Sequence, residues 1–271
     1  MLSRNSSSSR ALPIEKMILR VLDEPVIPVW WGRHQPGMQA EQEISARERD
    51  TAIRLWLDTR NVAAYNASRM ASLKTHRRVV ARLNKLGYAC DVDPALAALG
   101  DDGENEEQVG LLLHKQVPNR MLEPWMWITV IVSATEWGNF FALRCHPDAQ
   151  PEIQKIAYLM RDAYRESTPS AVADGDWHLP YLQEDEAGLD LETKKAVSVA
   201  RCARVSYLTH AGVREIGKDL ELFDRLRSGS GSGHWSPFEH VAQAASEPVR
   251  SGNFVGWLQY RKQFPAENQA P

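Results

Sequence analysis

The sequence predicts a helix-rich globular protein that also contains a β-strand. Apolar residues recur at helical spacing across 45–86, which predicts one long helix or two helices separated near Arg60-Asn61 or Ala71-Ser72. Pro151 begins a further amphipathic helix, whereas Thr129–Val132 is β-branched throughout and predicts a strand. With 43% hydrophobic and 25% charged residues among 271, the composition is that of an ordinary soluble enzyme.

Charge and cysteine content exclude several classes of protein. The net charge of −3 gives no electrostatic argument for nucleic-acid binding. There is no run of ~18 apolar residues and no signal-peptide pattern, so we expect no membrane association. The three cysteines, Cys90, Cys145 and Cys202, lie far apart and match no zinc spacing. We therefore predict a cytoplasmic protein without a metal site.

The first polar segment, Ser3–Arg10, combines hydroxyls, one amide and two guanidinium groups. It directly precedes Pro13, which suits the first turn of a helix predicted over Ile14–Leu22. Arginine forks, hydroxyls and backbone N–H groups together can hold a phosphate. The alternative is a frayed polar tail, which is the usual fate of serine runs.

An aromatic stripe ends in an arginine on the helix predicted over 136–144. Trp137, Phe140, Phe141 and Arg144 fall at i, i+3, i+4 and i+7, on one helix face. The Arg144 guanidinium either reaches solvent or faces a buried anion or polar ring. The adjacent Cys145 could be a nucleophile, although helix packing is the more ordinary role.

Several connections separate these elements. Residues 167–191 are rich in Pro, Gly and acidic residues, which places a candidate internal boundary near 167–195 in an otherwise single domain, 1–271. The run Ser228–Gly233 predicts a flexible loop leading into His234–His240. His34, Gln35 and Gln39 in the Gly32–Gln39 loop either line a nucleotide or folate pocket or are ordinary surface.

Four separated blocks together resemble the motifs of the flavin-dependent thymidylate synthases, the ThyX family. The family signature reads Arg-His-Arg-x-x-Ser-x-Asn-Glu-x-Ser-x-Arg-Tyr, and Ser3, Asn5, Ser8 and Arg10 match its later part. The blocks are Ser3–Arg10, Arg120–Pro124, Glu136–Ile153, and Ala203–Tyr207 followed by His234–His240.

The resemblance implies a fold, an assembly and a reaction. The fold would be α+β, with helices packed on an antiparallel sheet as in thymidylate synthase complementing proteins, and the assembly a homotetramer with sites at subunit interfaces. The reaction would be reductive methylation of dUMP to dTMP, with methylenetetrahydrofolate as carbon donor, NADPH as reductant and FAD as hydride carrier.

The resemblance also implies roles for individual residues. Arg144 would be catalytic, stabilising charge that develops on a uracil oxygen. The residues implied to bind dUMP are Ser6, Ser8, Arg10, Arg120 and Arg144. The residues implied to bind FAD are Asn139, Ser206, His234, Ser236 and Glu239.

The chain departs from the family pattern in three ways. Met1 follows the point where the signature's Arg-His-Arg would stand, so either the true start lies upstream or Tyr260–Lys262 supplies those donors. Ser6 replaces the signature's Glu, and Ala11 its Tyr. The fourth block comes last, which predicts a permuted or rearranged variant. Two rival hypotheses remain, namely a catalytically impaired nucleotide- and flavin-binding relative and a non-enzymatic helix-rich interaction protein.

Overall fold

The computed structural model describes residues 3–9, 12–36, 40–100, 103–205, 214–228 and 233–265. The chain forms two compact units. Unit one comprises Met1–Ser7, Ile128–Ala149 and Ile153–Pro271, and unit two comprises Ser8–Trp127 and Gln150–Glu152. The described parts contain helices and short antiparallel sheets, so the predicted α+β class is confirmed.

Unit two is helical because its apolar residues recur on single helix faces and its helix ends are capped. Ser45 and Glu48 form a capping box, in which the Ser45 N–H donates to Glu48 Oε2 at 2.8 Å. The Ser72 hydroxyl accepts from the Thr75 N–H and starts the next helix. The helices are α1 (Ile14–Asp23), α2 (Ala46–Arg69), α3 (Leu73–Lys85), α4 (Pro94–Ala97) and a 3-10 helix (Pro118–Trp125).

The break in the 45–86 region falls at the second of the two predicted positions. Arg60 and Asn61 lie inside α2 and are both buried, with the Arg60 Nη1 donating to the Leu22 carbonyl oxygen at 3.1 Å. The core that α1 builds with its neighbours contains Met17, Ile18, Val21, Leu22, Ala64, Ala67, Val79, Leu83 and Leu122. Burial of these apolar side chains holds the helices together.

Within the described residues, unit one contains three small sheets. β1 (Ser3–Ser6) pairs antiparallel with β2 (Val130–Ser133), with Ser3 opposite Ser133 and Ser6 opposite Val130. The second sheet has the order β3 (Trp177–His178), β4 (Ala242–Ala244), β7 (Trp257–Gln259). The third pairs β5 (Arg250–Ser251) with β6 (Phe254–Val255). Ser3–Ser6 is therefore an ordered strand and not a frayed tail.

The described residues of unit one include α5 (Gly138–Arg144), α6 (Pro151–Glu166, in this unit from Ile153), α7 (Leu191–Arg204), α8 (Ile216–Ser228) and 3-10 turns at Glu184–Glu186, Ser236–Glu239 and Tyr260–Gln263. Of these, α7, α8 and the last two turns pack around an aromatic core. The Phe238 ring lies 5.1 Å from the Trp235 ring and 5.9 Å from the Tyr260 ring, between centroids. This core fixes the 3-10 turn of the fourth block against α7, α8 and the Tyr260–Gln263 turn.

Two expectations differ from the structure in detail. Residues 167–191, predicted as a low-order connection, contribute β3 and a 3-10 turn to unit one, and the Trp177 ring of β3 packs edge-on against Tyr260 at 5.4 Å. The helix beginning at Pro151 is confirmed, but its predicted apolar face is largely uncovered, with Ile156 50% and Tyr164 58% exposed. None of the helices in the described ranges has the length and hydrophobicity of a membrane span.

Candidate active site

A buried polar network in unit one joins residues that are far apart in sequence. The Ser3 hydroxyl donates to Asn253 Oδ1 at 2.7 Å, and the Asn253 amide donates to the Ser133 carbonyl oxygen at 3.3 Å. The Gln259 amide donates to Ser3 Oγ at 3.0 Å and to the Glu239 carbonyl oxygen at 3.3 Å. The network thus fixes β1 and β2 against the 3-10 turn of the fourth block.

His240 is the most deeply buried ionisable group beside this network. Its side chain is fully buried, and its Nδ1 lies 2.9 Å from the Ser133 Oγ. Its Nε2 has no hydrogen-bond partner among the described residues. Burial lowers the pKa of His240 to about 4, although the Glu239 carboxylate acts in the opposite direction. The imidazole is therefore neutral at physiological pH.

The lowered pKa of His240 predicts a loss of stability in mild acid. The unfolded chain takes up a proton near the ordinary pKa of 6.5, whereas the native imidazole resists protonation until about 4. Stability should therefore fall as the pH drops through this interval, by about 2 kcal/mol between about pH 7 and pH 5. Urea unfolding at both pH values measures the loss.

Two variants isolate this contribution. His240→Asn keeps a hydrogen-bonding atom near Ser133 but cannot titrate, so its acid-induced loss should be smaller by about 2 kcal/mol. The exposed His146 serves as the control, and His146→Asn should leave the loss unchanged. An equal loss in the native chain and in His240→Asn would refute the assignment.

The carboxylate of Glu239 faces a guanidinium from the C-terminal segment. Arg261 Nη1 donates to Glu239 Oε1, and both side chains are partly exposed. Arg261 belongs to Tyr260–Lys262, the segment predicted to replace the missing signature donors. The structure thus places a cation from that segment beside a residue predicted to bind flavin.

The other described flavin-site candidates present polar groups to solvent. Ser236 and His234 are exposed because the neighbouring Pro237 and Phe238 anchor the turn in the core. Asn139 is exposed on α5, a helix without buried residues. Within the described part of the chain, these three side chains make no hydrogen bond, so their polar atoms are available to a ligand.

Arg144 ends α5 and is exposed, as the first of the two sequence alternatives predicts. Its aromatic stripe is present, because Trp137 stacks on Phe141 with centroids 5.8 Å apart and Phe140 meets both rings edge-on. Among the described residues, no acceptor pairs with the Arg144 guanidinium. Arg144 is therefore an exposed cation at the end of a helix whose aromatic side chains pack on one another. Its guanidinium is accessible to an anionic or carbonyl-bearing ligand.

The predicted dUMP residues divide between the two units. Ser6 is half-buried on β1 in unit one, whereas Ser8 and Arg120 belong to unit two. In unit two, the Asn119 amide donates to the Ser9 carbonyl oxygen at 2.7 Å, and the Ser9 hydroxyl donates to Glu123 at 2.7 Å. These hydrogen bonds hold Ser9, near the end of the Ser3–Arg10 segment, in place. Arg10 and Ser206 lie outside the described residues, as do three residues of the Gly32–Gln39 loop, 37–39.

Sequence reasoning missed the residues that organise the site. Gln259 and Asn253 make most of the network's side-chain hydrogen bonds, and the Ser133 hydroxyl forms a hydrogen bond with the His240 ring. The Gln259–Asn268 stretch has a spacing of cationic and aromatic residues that weakly resembles the Ser3–Arg10 segment and what should precede it. This local signal pointed to the region that contains Gln259. Asn253 gave no local signal, because its function in the network depends on strands that meet only in the folded chain.

A buried ion cluster supports the helix that carries the Ala203–Tyr207 block. Arg201 Nη1 lies 2.7 Å from Glu186 Oε2, and its Nε lies 3.1 Å from Asp219 Oδ2. Arg204 Nη2 lies 2.8 Å from Asp219 Oδ1. Hydrogen bonding to Arg201 lowers the pKa of Glu186. The cluster joins α7, α8 and the 3-10 turn at Glu184–Glu186.

Fold and site together define an α+β protein with a partly exposed polar site of arginine, hydroxyl, amide and imidazole groups. Residues 112–170 match the family model described as thymidylate synthase complementing protein. The matched segment contains Arg120, Asn139 and Arg144, and it supports a relationship of this chain to that family. No curated protein and no solved structure matches the chain.

Proposed function

We propose that this protein is a divergent flavin-dependent thymidylate synthase, which converts dUMP to dTMP with methylenetetrahydrofolate and NADPH. One observation carries the proposal. Two blocks that are distant in sequence meet in unit one, since Ser3 of β1 and the Ser236–His240 turn share one polar network with Ser133, which ends β2 three residues before the third block. The family match over 112–170 covers the second and third blocks.

The residues of unit one fit a flavin in their chemistry. The side-chain donors and acceptors of Asn139, His234 and Ser236 are exposed. Such groups suit the polar edge of a flat ring system. Asn139, Ser206, His234, Ser236 and Glu239 would hold FAD, which would supply hydride transfer when bound.

Arg144 would bind the pyrimidine and stabilise negative charge on a uracil oxygen. A guanidinium suits this role because it is always charged and presents several N–H donors to an anionic oxygen. Ser6, Ser8, Arg10 and Arg120 would bind the remainder of dUMP, with Arg10 and the hydroxyls holding the phosphate. No cysteine nucleophile takes part in this mechanism.

We extend the proposal to a homotetramer. Along α5 and α6, four large apolar side chains are at least half exposed, which is more than a monomer usually leaves uncovered on adjacent helices. They are Leu143 (54%), Ile156 (50%), Leu159 (62%) and Tyr164 (58%). A second copy of the chain would bury them and bring further motif residues to the site.

Flavin and dUMP titrations of the full chain test this function. The purified protein should be yellow, and dUMP should perturb its flavin absorbance. Supplied with methylenetetrahydrofolate and NADPH, it should form dTMP. Binding of flavin and dUMP without dTMP formation would replace the proposal by a catalytically impaired relative. Binding of neither would favour a non-enzymatic interaction protein.

A further inference from the structure

Tyr181 has a backbone conformation that a bulky side chain rarely adopts. Its φ is 64°, and within the described ranges it is one of two residues other than glycine with a positive φ. This left-handed conformation is unfavourable because it brings Cβ close to a carbonyl oxygen, and such outliers concentrate at functional sites. Tyr181 lies in unit one, in the segment that follows β3, and is not part of the aromatic core.

Two side chains of α7 hold the backbone in this conformation. The Ser198 hydroxyl donates to the Pro180 carbonyl oxygen at 2.7 Å. Arg201 Nη1 donates to the Tyr181 carbonyl oxygen at 2.9 Å. Ser198 and Arg201 are both buried, and Arg201 is itself fixed by the Glu186 carboxylate at 2.7 Å. Rigid groups therefore impose the strain and maintain it in the native state.

The same backbone leaves the Tyr181 side chain accessible. The residue is 42% exposed, although partial burial of the phenol raises its pKa. The Cys202 thiol acts on this pKa in the same direction, so the phenol lies close to the C-terminal half of α7. A tyrosine ring on a rigid backbone offers a large contact area to a flat ring and loses little conformational freedom on binding.

The segment that ends in Tyr181 lies beside both parts of the fourth block. Leu179 packs against the aromatic core that fixes the His234–His240 part. Tyr181 is hydrogen-bonded through its carbonyl oxygen to Arg201, two residues before the Ala203–Tyr207 part begins on α7. These two parts contain four of the five residues implied to bind FAD.

We propose that the Tyr181 ring is a contact surface for the flat isoalloxazine ring of the flavin, an inference that rests on the proposed function. The strained backbone is then retained because it presents the ring to the cofactor, although it lowers the stability of the fold. A tyrosine with a role in folding alone leads to the opposite expectation. Glycine would then relieve the strain without any loss of flavin binding.

Calorimetric titration with FAD and urea unfolding of the full chain test both effects. Tyr181→Phe keeps the ring and should bind FAD nearly as tightly as the native chain. Tyr181→Ala and Tyr181→Gly remove the ring, and each should weaken FAD binding about tenfold or more, as truncation of an aromatic side chain does beneath a stacked base. Because glycine adopts a φ of 64° without strain, Tyr181→Gly should have a folding equilibrium constant roughly fivefold larger than Tyr181→Ala.

The matched control is Tyr88→Ala, which removes a partly exposed tyrosine of unit two and should leave FAD binding unchanged. Native FAD affinity in both Tyr181→Ala and Tyr181→Gly would overturn the proposal. Recovery of FAD binding in Tyr181→Gly relative to Tyr181→Ala would also overturn it, because the role of the residue would then be in folding alone. Failure of the native chain itself to bind FAD would overturn the proposed function together with this inference.

Discussion

Replacing Arg144 with alanine should abolish the spectral response of the flavin to dUMP and reduce dTMP formation by about 10²–10³-fold. Removal of one preorganised donor to a developing negative charge has this order of effect. Arg144→Lys should recover part of the activity, because it keeps the charge but loses the planar fork of donors. The measurements are dUMP titration by flavin absorbance and dTMP production under saturating substrates.

Two control variants make the Arg144 result specific. Arg165→Ala removes another exposed arginine of unit one and should leave the dUMP response unchanged. Cys145→Ser removes the neighbouring thiol and should also leave it unchanged. Because Arg144 is exposed, the free energy of unfolding should move by no more than about 0.5 kcal/mol. A normal dUMP response in Arg144→Ala would remove this residue from the site.

The second large effect concerns stability. Arg201→Met should destabilise the protein by about 3–5 kcal/mol, because it leaves the buried carboxylates of Glu186 and Asp219 without their shared guanidinium. Arg77→Met is the control, since Arg77 pairs with Glu106 at 3.0 Å, both side chains are exposed and such pairs contribute about 0–1 kcal/mol. Urea unfolding of both variants gives the two free energies.

A combined variant separates charge from packing. Arg201→Met together with Glu186→Gln and Asp219→Asn removes the unpaired charges and should recover a substantial part of the lost stability. The native pairing also predicts acid sensitivity. Because the pKa of Glu186 is lowered in the folded state, its contribution is present above the ordinary carboxyl pKa and is lost as the pH falls through the lowered value. A loss below about 1 kcal/mol in Arg201→Met would show that the cluster is dispensable.

Local signals were sufficient for most helices. The Ser72 hydroxyl caps α3, so the break near Ala71-Ser72 is encoded within a few residues. Likewise, the aromatic spacing from Trp137 to Arg144 predicted α5, and the β-branched run Thr129–Val132 predicted β2. Each of these features depends on neighbours in the chain.

Contacts between residues that are distant in sequence could not be predicted from local patterns. Ser3–Ser6 is polar, and its strand forms because β2 lies beside it. The Trp177 ring packs against the Tyr260 ring, which lies far along the chain, and this contact holds β3 in unit one. The exposed face of α6 could not be predicted either, because periodicity shows that a face is apolar but not whether anything covers it.

The sequence by itself determined the positions of α1, α2, α3, α5 and α6, the α+β expectation through the family resemblance, and the residue types that a nucleotide and a flavin require. The tertiary structure decided which of these residues meet. It joined Ser3, Ser133 and Gln259 in one network and placed Arg261 beside Glu239. The physical reason is that hydrogen bonds between distant residues depend on chain topology, which no local pattern encodes.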